Sequence, residues 1–235
     1  GDWIVMSTKQ HNVHTLANDE DADGRIASFF AISAIMTVVM IVVWVLAPPP
    51  SVGVKEGQLA PDILGEAHYS GSWHEFRLYD YFNHSWEEGE PGQYIFLQFM
   101  DTDCPHCWDD APDMSDNYNN WGANGAVAFI TISVGMLNTD HSRAEVVAFQ
   151  EKSDYEGCNH DNSNCASRGG DAHDWPYVDD LAMSAFRDYN PPGVPFHLLL
   201  SPDGTVVWNS AMHTADSDPL HSPHQALQHH LTGGI

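Results

Sequence analysis

The stretch that decides the fold runs Phe96-Leu97-Gln98-Phe99-Met100-Asp101-Thr102-Asp103-Cys104-Pro105-His106-Cys107-Trp108. Its first five residues are mostly apolar and predict a strand that is covered on both faces. A short polar turn follows, and then two cysteines separated by two residues open a predicted helix. This layout places Cys104 at a helix N-terminus, where unpaired backbone N–H groups and the helix dipole favour a thiolate. Because the thiolate is the attacking species in thiol–disulfide exchange, Cys104 and Cys107 are predicted to form a redox pair.

Alternating strand and helix patterns surround this stretch and predict an α/β fold with a central sheet. The predicted strands are Trp73–Phe82, Tyr94–Met100, Ala126–Val134, Pro195–Leu200 and Thr205–Trp208. The predicted helices are Pro105–Trp121 with a kink at Pro112, Ser142–Lys152, Asp179–Tyr189 and Pro219–Leu231. Ser142 and Glu145 have the spacing of a capping box at the start of their helix.

The composition restricts the partners and the compartment. The 235 residues carry a formal charge of −25, and so acidic a surface repels phosphate backbones, which excludes nucleic acid as an expected partner. Four cysteines permit two disulfides, and disulfides persist in oxidising compartments.

The N-terminal part differs from the rest. Residues 1–25 are polar and acidic without periodicity, which predicts a disordered tail. Residues 26–46 are uncharged and almost wholly apolar, and about 21 helical residues reach roughly 30 Å, enough for a bilayer core. We therefore expect a transmembrane helix there and a proline-rich linker over 47–56, although a cleaved signal peptide or a buried helix are the alternatives. Arg25 before the span and Lys55 after it place the tail inside, so the globular residues 57–235 face outside the cytoplasm in a single-pass cell-membrane protein.

Four segments together carry a resemblance to a known family. They are Gly57-Gln58-Leu59-Ala60-Pro61-Asp62, the strand and cysteine motif at 96–107, Pro112 in the following helix, and Gly193-Val194-Pro195 before a strand and a Pro-Asp-Gly hairpin. This pattern resembles membrane-anchored thioredoxin-fold thiol–disulfide oxidoreductases of the TlpA/ResA type, and the Cys-Pro-His-Cys motif resembles that of DsbA-type oxidases. The resemblance implies a thioredoxin-like central mixed sheet flanked by helices from about Gly57 to the C-terminus.

The resemblance also implies roles for individual residues. Cys104 is the expected nucleophile, Cys107 resolves the mixed disulfide, and Pro105 and His106 tune the pKa of the site. No cofactor besides the redox-active disulfide and no metal is expected.

A second set of residues follows from the same resemblance. Pro195, in the cis form, and Val194 are expected to shape the groove for an extended substrate chain. Two positions depart from the family pattern: Gln98 stands where a buried carboxylate is common, and Asp103 replaces a tryptophan. The usual proton path is therefore in question for this chain.

Carboxylates near the motif oppose a thiolate at Cys104, because negative charge raises a thiol pKa. They belong to Asp101, Asp103, Asp109 and Asp110. If these side chains are exposed, they act through a high dielectric, and the helix N-terminus together with protonated His106 prevails. The expected reduction potential is then intermediate to oxidising.

The other two cysteines, Cys158 and Cys165, lie in a polar loop over about 153–174 that is predicted to be an insertion. A structural disulfide that staples the loop is the main interpretation. A second redox pair and a metal site with His160 and His173 are the alternatives.

Taken together, the sequence predicts extracytoplasmic thiol–disulfide exchange, as disulfide formation or isomerisation, on cysteine-containing exported proteins with a membrane or soluble redox partner. One alternative is a disulfide reductant for cytochrome c or copper-centre maturation. A non-catalytic copper carrier that uses Cys104 and Cys107 is the alternative from another class of protein.

Overall fold

The computed structural model describes residues 19–45, 51–137, 141–158 and 163–233, in two units divided after Pro49. The first unit contains α1 (Asp19–Val45), which begins inside the predicted acidic tail and covers most of the predicted span at 26–46. None of the helices in the described ranges combines the length and the apolar character needed to cross a membrane. Residues 1–18 of the predicted tail and 46–50, with part of the predicted linker, lie outside the described residues.

The second unit is built on a seven-stranded mixed sheet in the order β2-β1-β5-β4-β3-β6-β7. Its strands are β1 (Leu64–Tyr69), β2 (Ser72–Arg77), β3 (Tyr94–Met100), β4 (Val127–Val134), β5 (Tyr177–Asp180), β6 (Phe196–Leu200) and β7 (Val206–Asn209). Strands β3, β4 and β5 are parallel, whereas the pairs at both sides of them are antiparallel. The helices of this unit are α2 (Pro105–Asn117), α3 (Arg143–Glu151), α4 (Ser184–Tyr189) and α5 (Pro223–Thr232).

Apolar residues cover both faces of the central strand β3, as its sequence predicts. Ile95 and Phe99 point to one face and belong to a core that includes Tyr189 of α4. Phe96 and Met100 point to the other face, into a core shared with α2, α3 and α5. Because successive side chains of a strand alternate, Gln98 lies on the same face as Phe96 and Met100.

Two strands of this sheet were not expected from the sequence. Strand β1 and strand β5 are both missing from the predicted set, and the helix predicted to start at Asp179 begins only at Ser184. The chain stays extended through Asp180 because β5 pairs with both β4 and β1. The Asp180 carboxylate then accepts hydrogen bonds from the backbone N–H groups of Ser184 and Phe186, so it caps α4.

The predicted capping box of α3 forms only in part. Ser142 Oγ accepts the Glu145 backbone N–H at 3.2 Å, as a capping residue should. The Glu145 carboxylate does not return to the Ser142 backbone but contacts Thr102 and His141 instead. This departure brings Glu145 to the loop that precedes the cysteine motif.

Candidate active site

The cysteine pair lies where α2 begins. Cys104 is the N-cap residue of the helix, and its Sγ accepts a hydrogen bond from the Cys107 backbone N–H at 3.3 Å. Pro105 occupies the first turn, where a residue without an N–H group leaves no hydrogen bond unmade. The predicted placement of Cys104 at a helix N-terminus, next to a proline, is thus what the structure shows.

The two thiols have pKa values shifted in opposite directions. The pKa of Cys104 is lowered, first by the hydrogen bond from the Cys107 side chain and further by the backbone N–H groups of Cys107 and His106, against the effects of burial and of the Asp101 charge. Burial raises the pKa of Cys107, and the nearby Cys104 sulfur raises it further. Cys104 is therefore the more acidic thiol of the pair and Cys107 the less acidic one.

His106 contributes to this division through its backbone. Its side chain is exposed, whereas its N–H group is among the donors that lower the pKa of Cys104. His106 was predicted to lower the pKa of Cys104 through its imidazole. In the structure its backbone N–H, in the first turn of α2 beside Pro105, lowers that pKa.

The segment Val194–Pro195 lies against the motif. Its peptide bond is cis, and the Val194 carbonyl oxygen is 3.4 Å from Cys104 Sγ. Cys104 is only 3% exposed. A shallow groove starts at Pro192, passes Pro195 and His197, and continues toward α5. The two residues predicted to shape the substrate groove, Val194 and Pro195, thus both line it.

The carboxylates that precede Cys104 are buried, contrary to the expectation that they are exposed. Asp101 has no exposed surface and Asp103 is 7% exposed. Asp101 Oδ1 accepts the Asp103 N–H, and its Oδ2 accepts the N–H groups of Met136 and Leu137, each at 2.8 Å. The Asp101 carboxylate can be buried because three backbone N–H groups take the place of the water molecules that would solvate it.

A histidine from the start of the α3 region neutralises this buried charge. His141 Nε2 is 3.0 Å from Asp101 Oδ1, and its Nδ1 is 3.3 Å from Glu145 Oε1. Burial opposes the charged imidazole most strongly, but the nearby carboxylates of Asp101 and Glu145 raise the pKa of His141 to about 10. Burial likewise opposes the Asp101 charge, while His141 and the backbone donors lower the pKa of Asp101. We call Asp101, Thr102, His141 and Glu145 the Asp101 cluster.

A second aspartate–histidine pair lies on the sheet side of α2. Asp110 Oδ2 accepts a hydrogen bond from Gln98 Nε2 at 2.7 Å and lies 2.9 Å from His197 Nε2. Gln98 and His197 face each other across the β3–β6 pairing. We call Gln98, Asp110 and His197 the Asp110 cluster. Gln98, which stands where the family pattern has a carboxylate, thus holds a carboxylate that α2 supplies.

Cys158 and Cys165 are joined by a disulfide with a Cα–Cα distance of 5.3 Å, and neither residue has exposed surface. His160 lies outside the described residues. His173 is buried and hydrogen-bonded to Tyr177 and Arg168. In the part of the chain that the structure describes, no group of three or more His, Cys, Asp or Glu side chains is arranged to hold a metal ion.

His141 and His197 were not expected at the site, and Asp110 was expected only as an exposed charge that opposes a Cys104 thiolate. A signal existed for two of them. Asp110 follows Cys107 by three residues, which puts both on one helix face, and His197 alternates with Phe196 on a strand next to Pro195. His141 is brought to Asp101 from 40 positions along the chain, and no local pattern marks it.

Solved structures of other proteins are similar to this chain at low sequence identity. No protein-family model and no curated protein matches the chain. An uncharacterized conserved protein from Geobacillus kaustophilus is similar at 17% identity, with 77% of this chain and 84% of that chain covered and a TM-score of 0.55. A hypothetical protein from Sinorhizobium meliloti 1021 is similar at 15% identity, with 77% and 87% covered and a TM-score of 0.52. The thioredoxin domain of a thiol-disulfide oxidoreductase from Bacteroides vulgatus is also similar, at 19% identity, with 67% and 89% covered and a TM-score of 0.44.

The chain has a thioredoxin-like fold. In this fold the motif joins β3 to α2, β4 is parallel to β3, and the cis Val194–Pro195 bond precedes the antiparallel strand β6. The predicted mixed sheet flanked by helices is confirmed. Membership of the TlpA/ResA type and the DsbA-type assignment stay predictions.

Proposed function

We propose that this chain is a thiol–disulfide oxidoreductase. The observation that carries the proposal is the opposite shift of the two thiol pKa values at the start of α2, next to the Val194 carbonyl. The Cys104 thiolate attacks a disulfide of the substrate, and a mixed disulfide forms while one substrate thiolate leaves. Cys107 then attacks Cys104, which releases the second substrate thiolate and leaves the Cys104–Cys107 disulfide. The reverse sequence transfers the disulfide to a substrate dithiol.

We propose further that disulfide formation or isomerisation is the physiological direction. A stabilised Cys104 thiolate favours the dithiol form of the enzyme, and this makes its disulfide the stronger oxidant. The buried Asp101 charge works against this, but His141 neutralises it at close range. The expected reduction potential lies nearer to the roughly −120 mV of DsbA than to the roughly −270 mV of thioredoxin. A measured potential close to the thioredoxin value would overturn the direction and favour a reductase.

The proposed place of action is outside the cytoplasm, and the proposed substrates are cysteine-containing exported proteins. The buried Cys158–Cys165 disulfide supports an oxidising compartment. A membrane or soluble redox partner would recycle the Cys104–Cys107 pair. The groove from Pro192 to His197 suits an extended chain that reaches Cys104 beside Val194.

Trapping of substrates tests this function. In Cys107→Ser the mixed disulfide at Cys104 has no resolving thiol, so we expect exported proteins to stay covalently attached until a reductant is added. The matched control is Cys104→Ser, which removes the nucleophile and should capture nothing. Equal capture by both variants, or none by either under native redox conditions, would contradict exchange at Cys104.

A further inference from the structure

Only one of the two oxygens of the Asp110 carboxylate is hydrogen-bonded within the described ranges. Oδ2 receives Gln98 Nε2 at 2.7 Å and His197 Nε2 at 2.9 Å. Oδ1 makes no hydrogen bond with any residue of the described ranges. The side chain is 14% exposed, and that of His197 is 6% exposed, so the carboxylate is mostly shielded from water.

The orientation of Gln98 identifies Asp110 as the acceptor in this contact. Gln98 Oε1 accepts a hydrogen bond from Thr131 Oγ1 at 3.0 Å, and Thr131 Oγ1 in turn accepts the Trp175 indole N–H at 2.9 Å. The Gln98 amide oxygen therefore faces Thr131, and the amide N–H faces Asp110. Asp110 Oδ2 therefore accepts the Gln98 N–H, and His197 Nε2 is a second polar contact of the same oxygen.

Asp110 and Cys107 lie on the same face of α2, since residues three apart on a helix are neighbours. That face packs on the side of the sheet where Gln98 lies with Phe96 and Met100. The Asp110 charge contributes to the raised pKa of Cys107, in keeping with their neighbouring positions on this helix face.

Other titratable groups lie in the same region. His197 on β6 contacts Asp110. Tyr177 on β5 feels the charges of both Cys107 and Asp110, and burial raises its pKa, so it stays a neutral phenol. Asp101, near the start of α2, is saturated by backbone donors and His141.

We propose that Asp110 is the proton acceptor for Cys107, with Gln98 and His197 as its positioning residues. In the resolution step the Cys107 S–H bond breaks and its proton passes to Asp110 Oδ1. The freed electron pair forms the bond from Cys107 Sγ to Cys104 Sγ, and the substrate sulfur leaves with the electrons of the mixed disulfide. Asp110 returns the proton to solvent or to the departing thiolate. The inference rests on the proposed function and adds the base that its second step requires.

The test uses the full chain, reduced, with excess 5,5′-dithiobis(2-nitrobenzoate), and follows the released thionitrobenzoate. A first phase reports the attack of Cys104, and a second phase reports the resolution by Cys107. A positioned general base typically contributes about 10²–10⁴-fold. We therefore expect Asp110→Asn to slow the second phase at neutral pH at least tenfold, to leave the first phase within about twofold, and to make the second phase rise with hydroxide concentration.

The sign of the effect separates this role from simple electrostatics. The Asp110 charge raises the pKa of Cys107, so its removal alone would produce more thiolate and a faster second phase. A second phase that is unchanged or faster in Asp110→Asn would overturn the inference.

Two controls complete the design. Asp109→Asn removes the same charge from an exposed neighbour on α2 and should leave both phases as they are. If the wild-type protein shows no first phase or no second phase, the proposed function itself fails. If both phases are normal in the wild-type protein and in Asp110→Asn, only the role of Asp110 fails. The first phase also verifies that each variant is folded around Cys104.

Discussion

Each active-site cysteine has an aspartate–histidine pair near it, and the two pairs differ in how far their hydrogen bonds are satisfied. Asp101 lies beside Cys104 without exposed surface, and three backbone N–H groups and His141 surround its two oxygens. Asp110 lies near Cys107 with two donors on a single oxygen. Both oxygens of the first carboxylate have partners, whereas Oδ1 of the second has no hydrogen bond with any residue of the described ranges.

The difference indicates that one pair has a structural role and the other a chemical role. A buried charge with all its partners in place stabilises one conformation, and removal of one partner leaves an uncompensated charge. A shielded carboxylate with a spare oxygen can change its protonation state during a reaction. The Asp101 cluster therefore fixes the loop that carries Cys104, and the Asp110 cluster serves the chemistry of Cys107.

The largest expected effect is on stability, from loss of His141. Removal of one partner from a buried ion pair typically costs about 3–5 kcal/mol, and His141→Ala leaves the Asp101 carboxylate and Glu145 without their cation. We expect a fall of that size in the free energy of unfolding, measured by urea denaturation.

The matched variant in the other pair is His197→Ala. Asp110 keeps Gln98 and some contact with water there, so the expected loss is about 1–2 kcal/mol. Equal losses in the two variants would contradict the contrast between the two pairs.

How far the sequence predicts this molecule depends on whether the determinants are local. The strand Tyr94–Met100 and the helix that starts at Pro105 follow from residues next to one another, and both are observed. Strand β5 has four residues, and its pairing with β4 and β1 decides its conformation, so its own pattern is too short to identify it.

The same reasoning holds for the site. Cys104, Cys107 and Pro195 follow from spacing and resemblance. The burial of Asp101 does not, because its partner His141 comes from a distant segment that the fold brings close. Gln98 marked a departure from the family pattern, but only the packing of α2 on the sheet shows that Asp110 occupies the space beside it.

The pH dependence of stability sharpens the contrast further. The pKa of His141 is raised in the folded state from its ordinary value of 6.5 to about 10, so its contribution is complete below about pH 6.5 and is lost as the pH rises toward 10. Asp101 has a lowered pKa, so its contribution is lost only as the pH falls below its ordinary value of 3.8. We expect the urea midpoint of the wild-type protein to fall more steeply between pH 6.5 and 10 than that of His141→Gln. Parallel curves for the two proteins would contradict a charged, buried His141.

The reactivity of Cys104 provides the next test. The Asp101 charge raises the pKa of Cys104, so Asp101→Asn should shift the pH midpoint of Cys104 alkylation by iodoacetamide downward, and His141→Gln should shift it upward. A shift of about one pH unit corresponds to about 1.4 kcal/mol between the two protonation states. Asp110→Asn is the control and should leave this midpoint in place. A midpoint that moves with Asp110 and not with Asp101 would reverse the assignment of the two pairs to the two cysteines.

The smallest expected effect concerns Gln98, which acts only through Asp110. Gln98→Met keeps the volume of the side chain but removes the N–H that orients Asp110 Oδ2, and it also frees Thr131 from its acceptor. His197 still holds the carboxylate, so we expect the second phase of the thionitrobenzoate reaction to slow about three- to tenfold, in keeping with the loss of one hydrogen bond worth about 1 kcal/mol. A positioning role requires the pH profile of that phase to keep its shape while its height falls, because Asp110 is still present to take the proton. Loss of the profile in Gln98→Met, as in Asp110→Asn, would show that the amide itself takes part in the transfer and that the carboxylate does not act alone.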